Sequence, residues 1–204
     1  MKTFIYFENL KEEKRKKIIN AGLEVFSSYG YEHASTDIIT QKAQISKGAL
    51  FHYFEDKENF FIYLFNYATK EFTRNVNPDP PLEMMDIFDY LPYITMQKIE
   101  LLKGYPYLVG FVMNAYEKNY ALLKDRGLID SFDDYQKHSQ YIYEKLNFSN
   151  LKDGISKEEL LSWTAMISQG FIHMYSQFPQ EQHEQLVADL LNFFVELKRN
   201  FRKE

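Results

Sequence analysis

The residues best suited to specific chemistry lie in one stretch, Ser35 to Lys57, which reads STDIITQKAQISKGALFHYFEDK. Lys47 carries a long cationic side chain that can donate to O6 and N7 of guanine, and Gly48 and Ala49 are small enough to let a backbone approach a base edge. Side chains that could bind phosphate without reading sequence flank them: Ser35, Thr36, Tyr53 and Lys57. This combination predicts contact with double-stranded DNA.

Two short helices must position these side chains. The spacing of Ile38, Ile39 and Ala43 predicts a helix from Asp37 to about Ala43, with Ser35 or Thr36 as its N-cap. A turn follows at Gln44 and Ile45. Ser46 can then cap a second helix that begins at Lys47 and buries Leu50 and Phe54. Two short helices joined by such a turn place the start of the second helix in a major groove.

The same stretch resembles a known family. It is similar to the N-terminal signature of the tetracycline-repressor-like (TetR) family of bacterial regulators. The matching positions are Ile39, Ala43, the run Ile45 to Leu50, His52 to Phe54, Lys57 and Glu58. The resemblance implies a three-helix DNA-binding domain, here residues 1–57, followed by a larger helical ligand-binding and dimerisation domain, here 58–204. It also implies repression relieved by a small molecule, and it adds His52 to the expected DNA contacts.

Three positions depart from the family pattern. Gln44 stands where the family usually has Gly, at a turn position where a left-handed backbone is common; a non-Gly residue holds that conformation at a cost of roughly 1 kcal/mol. Phe51 stands where the family more often shows Tyr, which removes a phosphate-binding hydroxyl. Asp37 lies near the DNA-facing end, where its charge opposes a phosphate. We therefore expect DNA affinity to depend on Lys47, Tyr53 and Lys57.

Composition sets bounds on the function. The 204 residues are 45% hydrophobic, which favours a packed globule, and the lack of cysteine excludes disulfides and thiolate chemistry. We expect a cytoplasmic protein without membrane contact, since there is no signal peptide and no long apolar run. Residues 1–57 hold nine Lys/Arg and eight Asp/Glu, so the acidic excess behind the net charge of −5 lies in the remainder. The weak basic balance predicts modest non-specific DNA binding.

The pattern along the chain predicts an all-α fold of about nine helices. Asn9 and Glu12 suggest a capping box for the first helix, which should end at Gly30. Glu58 to Asn75 reads as a long connecting helix, and a proline-rich loop follows it at 77–81. Further predicted helices span 82–101, 107–119, 131–146, 157–177 and about 180–201. Pro92 should kink the first of these helices. Ser156 and Glu159 form a capping-box pattern at the start of the helix at 157–177.

The family resemblance also implies an effector cavity in the second domain. The residues that would line it are apolar or aromatic, with a few polar tips: Tyr90, Tyr93, Met96, Phe111, Met113, Trp163, Met166 and His173. Such a lining predicts a bulky, mainly apolar or aromatic effector. Taken singly, each of these side chains could equally belong to an ordinary core.

The last two predicted helices carry apolar stripes that could dock on their own domain or form a four-helix dimer interface. A homodimer suits a helix-turn-helix because operator half-sites are related by two-fold symmetry. The predicted interface residues are Ile167, Phe171, Met174, Tyr175, Leu186, Leu190, Phe193, Phe194 and Leu197.

Two other classes of function compete with a regulator. The first is an enzyme, whose metal cluster could be formed by Asp130, Asp133, Asp134 and His138. Acidic residues at a helix start more simply offset the helix dipole, however. No phosphate loop, HExxH pair or nucleophile elbow occurs, so we expect neither catalytic residues nor a cofactor. A helical adaptor that uses the helix-turn-helix for protein contact is the third alternative.

Overall fold

The computed structural model describes residues 4–203. Within that range the chain is all-helical, with ten α-helices and no β-strand, which confirms the predicted fold class. The helices are α1 (Ile5–Glu8), α2 (Glu12–His33), α3 (Thr36–Ala43), α4 (Lys47–Phe54), α5 (Lys57–Asn75), α6 (Ile87–Gly104), α7 (Leu108–Asp125), α8 (Asp130–Lys145), α9 (Lys157–Gln177) and α10 (His183–Phe201). Short 3₁₀ turns lie at Leu82–Met84 and Gln180–Gln182.

The chain forms two compact units. The first joins Met1–Phe72 with Tyr105–Phe132, and the second joins Thr73–Gly104 with Asp133–Glu204. The first unit is therefore assembled from two separate stretches of sequence. The division into 1–57 and 58–204 stays a prediction.

Large aromatic side chains fill the core of the first unit. Phe26 of α2 packs against Phe61 of α5 with ring centroids 5.1 Å apart, and Phe111 of α7 lies 5.6 Å from Phe61. All three side chains are buried. The core thus ties the second stretch of this unit to the first.

A glycine lets α2 and α5 approach closely. A Cβ on Gly22 would lie 2.5 Å from Cδ1 of Leu64 and 2.6 Å from Cζ of Phe60, which is closer than carbon atoms can pack. The predicted end of α2 at Gly30 is a real discontinuity, because Gly30 has a φ of 72°, although helical residues continue to His33.

The predicted capping box at the start of α2 is wrong. Lys11 occupies the N-cap position, and Asn9 instead ends a four-residue helix, α1, that the sequence pattern did not predict. The helix is held by tertiary packing, since Phe7 is fully buried against Phe54 and Tyr63 at centroid distances of 4.8 and 5.1 Å.

In the second unit, Asp86 ties the start of α6 to the end of the chain. Its carboxylate accepts from the backbone N–H of Phe88 at 3.0 Å and from the amide of Asn150 at 2.8 Å, and it lies 3.5 Å from the guanidinium of Arg202. The buried apolar residues of this unit come mainly from α6, α9 and α10.

Most predicted helices have counterparts in the structure. Helix α9 has the predicted bounds, and its capping box between Ser156 and Glu159 is confirmed. Helix α6 passes through Pro92 and starts later than predicted, after the short turn at Leu82–Met84. Helix α7 is irregular at Asn119, the predicted end, and continues to Asp125. Across residues 4–203 no helix has the length and apolar character needed to cross a bilayer.

Candidate nucleic-acid interface

Helices α3 and α4 form the helix-turn-helix, with three residues between them. Gln44 ends α3 in the left-handed conformation, φ 54° and ψ 46°, and Ile45 N–H donates to the carbonyl of Thr40 at 3.0 Å. The hydroxyl of Ser46 accepts from Ala49 N–H at 3.1 Å, so Ser46 caps α4 as predicted. These local bonds fix the direction in which α4 leaves the turn.

The first turn of α4 faces outward. Lys47 and Gly48 are exposed, and Ala49 is half-buried. The ammonium group of Lys47 lies 2.8 Å from a carboxylate oxygen of Asp37. Both side chains are more than half exposed, so the pair is weak and readily exchanged for another anion. The contact with Asp37 therefore leaves Lys47 free to bind another anion.

The first turn of α3 differs in detail from the prediction. Ser35 occupies the N-cap position but its side chain makes no capping hydrogen bond, and α3 begins at Thr36. Both residues are half-buried. Their hydroxyl groups lie at the end of α3 that precedes Asp37, where phosphate contact stays a prediction.

Lys57 has a structural role that the sequence pattern did not predict. Its ammonium group donates to the carbonyl oxygens of Glu32 at 3.0 Å and Ala34 at 3.4 Å, at the end of α2. It also lies 5.0 Å from the centre of the Tyr31 ring, a cation–π contact. Because Lys57 caps α2, phosphate binding by this residue would require breaking those contacts.

The far end of α4 meets α1. His52 is exposed and its ring lies 4.7 Å from that of Tyr6, which is itself 66% exposed. Tyr53 is half-buried, 6.0 Å from the ring of Phe7. Tyr6 thus extends the aromatic surface beside the recognition helix. The signal in the sequence is the aromatic cluster Phe4 to Phe7, which is too short to show helical periodicity.

Two lysines connect α2 with α3 and the turn that follows it. Lys17 of α2 donates to the side-chain oxygen of Gln44, and Lys42 lies 2.9 Å from Glu24. Lys17 is exposed and belongs to the basic run of α2 that reads as a solvated surface. Its contact with the turn makes it a further candidate for phosphate binding.

The structure disperses the predicted effector-site residues. Phe111 is buried in the core of the first unit, and Met113 is exposed on the same helix. Trp163, Met166 and His173 are exposed side chains of α9. The placement of these five residues at an effector site stays a prediction, and their separation in the structure does not support it. Helical periodicity identified apolar positions without showing which face of each helix is buried.

Three predicted effector-site residues remain together on α6. Tyr90 is fully buried, and among the described residues its hydroxyl has no hydrogen-bond partner. Tyr93 donates to the carbonyl of Asp79 at 2.9 Å, and Met96 is half-buried. Burial raises the pKa of Tyr90, so its hydroxyl is neutral at physiological pH and can donate to a ligand.

Most of the predicted dimer residues are buried within a single chain. Six are less than a tenth exposed: Phe171, Tyr175, Leu186, Leu190, Phe194 and Leu197. These side chains form the core between α9, α10 and α6 and are not available to a partner, whereas Ile167 and Phe193 are half-buried. The large apolar residues exposed on α9 and at its C-cap are Trp163, Met166, Met174 and Phe178, which we call the α9 surface; Val195 of α10 is also exposed.

The acidic cluster on α8 forms no metal site. In the part of the chain that the structure describes, no group of three or more His, Asp or Glu side chains could hold a metal ion. A ring nitrogen of His138 instead lies 2.8 Å from a carboxylate oxygen of Asp79.

Comparison with known proteins agrees with this geometry. Residues 18–64 match the sequence model for bacterial regulatory proteins of the tetR family, a span that holds most of α2, the helix-turn-helix and the start of α5. These residues therefore carry the N-terminal sequence signature of the tetR family.

Curated relatives match this chain over part of its length. The chain is 40% identical over 67 residues to the uncharacterized HTH-type transcriptional regulator YuxN of Bacillus subtilis, a match that covers 32% of this chain and 23% of that protein. It is 37% identical over 51 residues to the HTH-type transcriptional repressor AcnR of Corynebacterium diphtheriae, covering 25% and 27%. The matched segment is thus about a quarter of the length of these relatives.

Solved TetR structures match the whole fold. A TetR family transcriptional regulator from Chloroflexus aurantiacus superposes with a TM-score of 0.56 at 21% identity, covering 98% of both chains. Another from Marinobacter aquaeolei gives 0.52 at 15% identity, covering 95% of this chain and 97% of that one. At this level of identity the likeness concerns the fold alone.

Proposed function

We propose that this chain is a sequence-specific, DNA-binding transcriptional regulator that uses the first turn of α4 to read an operator. The observation that carries the proposal is the exposed, Ser46-capped start of α4, where Lys47 and Gly48 project from a helix-turn-helix whose other side is packed into a core. The match of residues 18–64 to the sequence model for bacterial regulatory proteins of the tetR family supports it. A cytoplasmic location stays a prediction, and it follows from the proposed DNA target.

On this proposal DNA displaces Asp37 from Lys47. The ammonium group leaves an exposed carboxylate and donates to O6 and N7 of a guanine, the commonest specific contact in the major groove. Phosphates on either side would be bound by Ser35, Thr36, Tyr53 and Lys17. His52 and Tyr6 lie together at the other end of α4.

We further propose that the regulator is a homodimer and a repressor. The α9 surface supports dimerisation, since large apolar side chains exposed on neighbouring turns of a helix, such as Trp163 and Met166, mark interaction sites. Two-fold symmetry would place two α4 helices on two operator half-sites. The relatives described as repressors support the sign of regulation.

The effector proposed is a small, mainly apolar or aromatic molecule that releases the repressor from its operator. The support within the second unit is Tyr90, whose buried hydroxyl has no partner among the residues described. Buried polar groups are almost always hydrogen-bonded, so a ligand that reaches this hydroxyl gains a bond that the free protein lacks. Screening by release from DNA would identify such a compound.

Fluorescence anisotropy tests the DNA-binding proposal. The duplexes would cover the DNA upstream of the coding region of this protein, with unrelated duplex as competitor and a series of salt concentrations. Lys47→Ala should weaken specific binding by about 1–3 kcal/mol, roughly fivefold to 150-fold, because one base contact is lost. Unchanged affinity of this variant for a bound operator would overturn the proposed reading helix.

Lys118→Ala provides the matched control. Lys118 is an exposed lysine of α7 in the same unit, so its removal changes the net charge equally without touching the helix-turn-helix. We expect operator affinity close to that of the wild type.

A further inference from the structure

A cleft in the first unit lies outside the helix-turn-helix. Its volume is about 510 Å³, and it opens between α1, one face of α5, and the segment from Asp125 to Leu128 that follows α7. A volume of this size falls within the usual range for small-molecule sites, roughly 300–1,000 Å³.

The floor of the cleft is a second face of α5. Residues Asn59, Ile62, Tyr63, Asn66 and Tyr67 line it, and their spacing of three and four residues places them on one side of the helix. All five are half-buried. The opposite face of α5 is fully buried and forms the core; it includes Phe60, Phe61, Leu64 and Phe65. Because those residues already pack the unit, the polar side chains of the cleft face are not needed for folding.

Two tyrosine rings are fixed in the floor. The rings of Tyr63 and Tyr67 are nearly parallel, 15° apart, with centroids separated by 6.3 Å. Tyr63 donates to a carboxylate oxygen of Glu8 at 2.8 Å, and the hydroxyl of Tyr67 is hydrogen-bonded to that of Tyr105. Their hydroxyls are therefore engaged, and what they offer to the cleft is aromatic surface.

Two amide groups are available on the same face. The side chains of Asn59 and Asn66 make no hydrogen bond to any other described residue, and they lie about 10 Å apart along the helix axis. An amide presents a donor and an acceptor side by side. This pairing matches the edge of a heteroaromatic ring that carries adjacent acceptors and donors.

The charges around the cleft largely cancel. Glu8 lies 3.8 Å from Arg15, and Arg126 pairs with Glu58. Lys70 and Asp125, which are exposed, add one charge of each sign at the rim. The cleft thus favours a ligand without net charge.

We propose that this cleft binds a small, neutral, planar heteroaromatic compound. The ring packs against Tyr63, Tyr67 and Phe4, and its donor and acceptor edge pairs with Asn59 or Asn66. The site lies within the DNA-binding unit and is separate from the effector contact proposed at Tyr90.

Occupancy of the cleft reaches the recognition helix through α1. Phe4, which lines the cleft and is the N-cap of α1, lies 5.2 Å from Phe54 of α4, and Tyr6 of α1 contacts His52. A ligand that packs against Phe4 therefore stabilises the position of α1 against α4.

Isothermal titration calorimetry on the full chain tests the proposal with two probes, adenine and lumichrome, in the absence of DNA. We expect saturable binding of at least one probe with a Kd below about 1 mM. The double variant Asn59→Ala, Asn66→Ala should weaken it by about tenfold or more. Asn114→Ala removes an amide from α7, outside the cleft, and should leave the affinity unchanged.

A second variant distinguishes loss of the binding site from loss of folding. Ile62→Trp fills the cleft while α5 keeps its buried face, and it should abolish binding with the circular dichroism spectrum unchanged. Absence of saturable heat with both probes, or wild-type affinity in both cleft variants, would overturn the proposal. Since the titration contains no DNA, its outcome is independent of whether the chain is a regulator.

Discussion

Gln44 holds a left-handed backbone conformation, with a φ of 54°, that glycine adopts without steric cost. Gln44→Gly should therefore raise the free energy of unfolding by up to about 1 kcal/mol, measured by urea denaturation. The hydrogen bond lost to Lys17 is solvent-exposed and contributes little.

The reciprocal change tests the same reasoning. Gly30 has a φ of 72° and a ψ of 171°, a backbone region that is essentially restricted to glycine, and a Cβ there would meet no atom within 4 Å. Gly30→Ala should therefore bring backbone strain without a clash and lower the free energy of unfolding by about 1–3 kcal/mol. Equal stability of the wild type and both variants would show that the positive-φ conformations carry no strain.

Single residues were predictable from sequence where the interaction is local. Ser46 caps the helix that begins one residue later, and its type and position were sufficient to predict this. The contacts of Lys57 with Glu32 and Ala34 join residues more than twenty positions apart. The contact of Lys47 with Asp37 depends on the angle between the two helices that the turn connects. Tertiary structure determines where the charged group of a long side chain lies, and the spacing of residues along the sequence does not reveal that position.

At the scale of the element, the close approach of α2 and α5 depends on Gly22. Gly22→Ala should lower the stability by about 1–2 kcal/mol, because the clash with Phe60 and Leu64 outweighs the better helix propensity of alanine. Thermal unfolding followed by circular dichroism measures it.

Gly48→Ala is the control for helix propensity. A Cβ on Gly48 would meet only the Ser46 hydroxyl, at 3.9 Å, so this variant should be as stable as the wild type or more so. Loss of stability in both variants would mean that crowding at Gly22 is not the cause.

The capping box of α9 makes stability depend on pH. The backbone N–H and hydroxyl of Ser156 donate to the Glu159 carboxylate at 2.9 and 2.8 Å, and these bonds hold the pKa of Glu159 below its ordinary value. The stabilisation is present above the pKa of an unfolded glutamate and is lost as the pH falls through the lowered folded pKa. Glu159→Gln should thus melt at a lower temperature at pH 7, and the difference should vanish in acid.

Glu158→Gln separates this effect from the helix dipole, because it removes the same charge from the same turn but does not belong to the capping box. Wild-type pH dependence in Glu159→Gln would contradict the role of the bonds to Ser156.

Elements with long, regular patterns were predicted well, and α9 has the expected bounds. Helix α1 was missed because four residues are too few for periodicity, and its stability comes from burial of Phe7. The face of α9 was also misjudged: Phe171 and Tyr175 are buried while Met166 and Met174 are exposed, and both sets recur at helical spacing. Periodicity alone cannot show which of two apolar faces of a helix is the buried one.

At the scale of the whole molecule, the proposed homodimer would form through the α9 surface. Met166 is 59% exposed, so Met166→Asp should leave the fold of the chain intact and convert the proposed dimer to a monomer in sedimentation velocity. Leu190→Asp is a poorer test, because Leu190 is buried and a charge there would unfold the unit.

Tyr141→Asp serves as the comparison. Tyr141 is an exposed aromatic residue of α8, 52% accessible, and lies outside the α9 surface. This variant should sediment as the wild type does. A dimeric Met166→Asp variant would show that the chains associate through another surface.

The discontinuous first unit limits how the protein can be divided for experiment. A peptide ending near residue 64 would hold the whole family match, yet it would lack Phe111, which covers Phe26 and Phe61 in the core. A peptide starting at residue 18 would lack Phe7. The segment recognised by evolutionary similarity is therefore smaller than the segment that can fold, and a minimal DNA-binding fragment would need residues 105–132 rejoined to the N-terminal helices through an engineered linker.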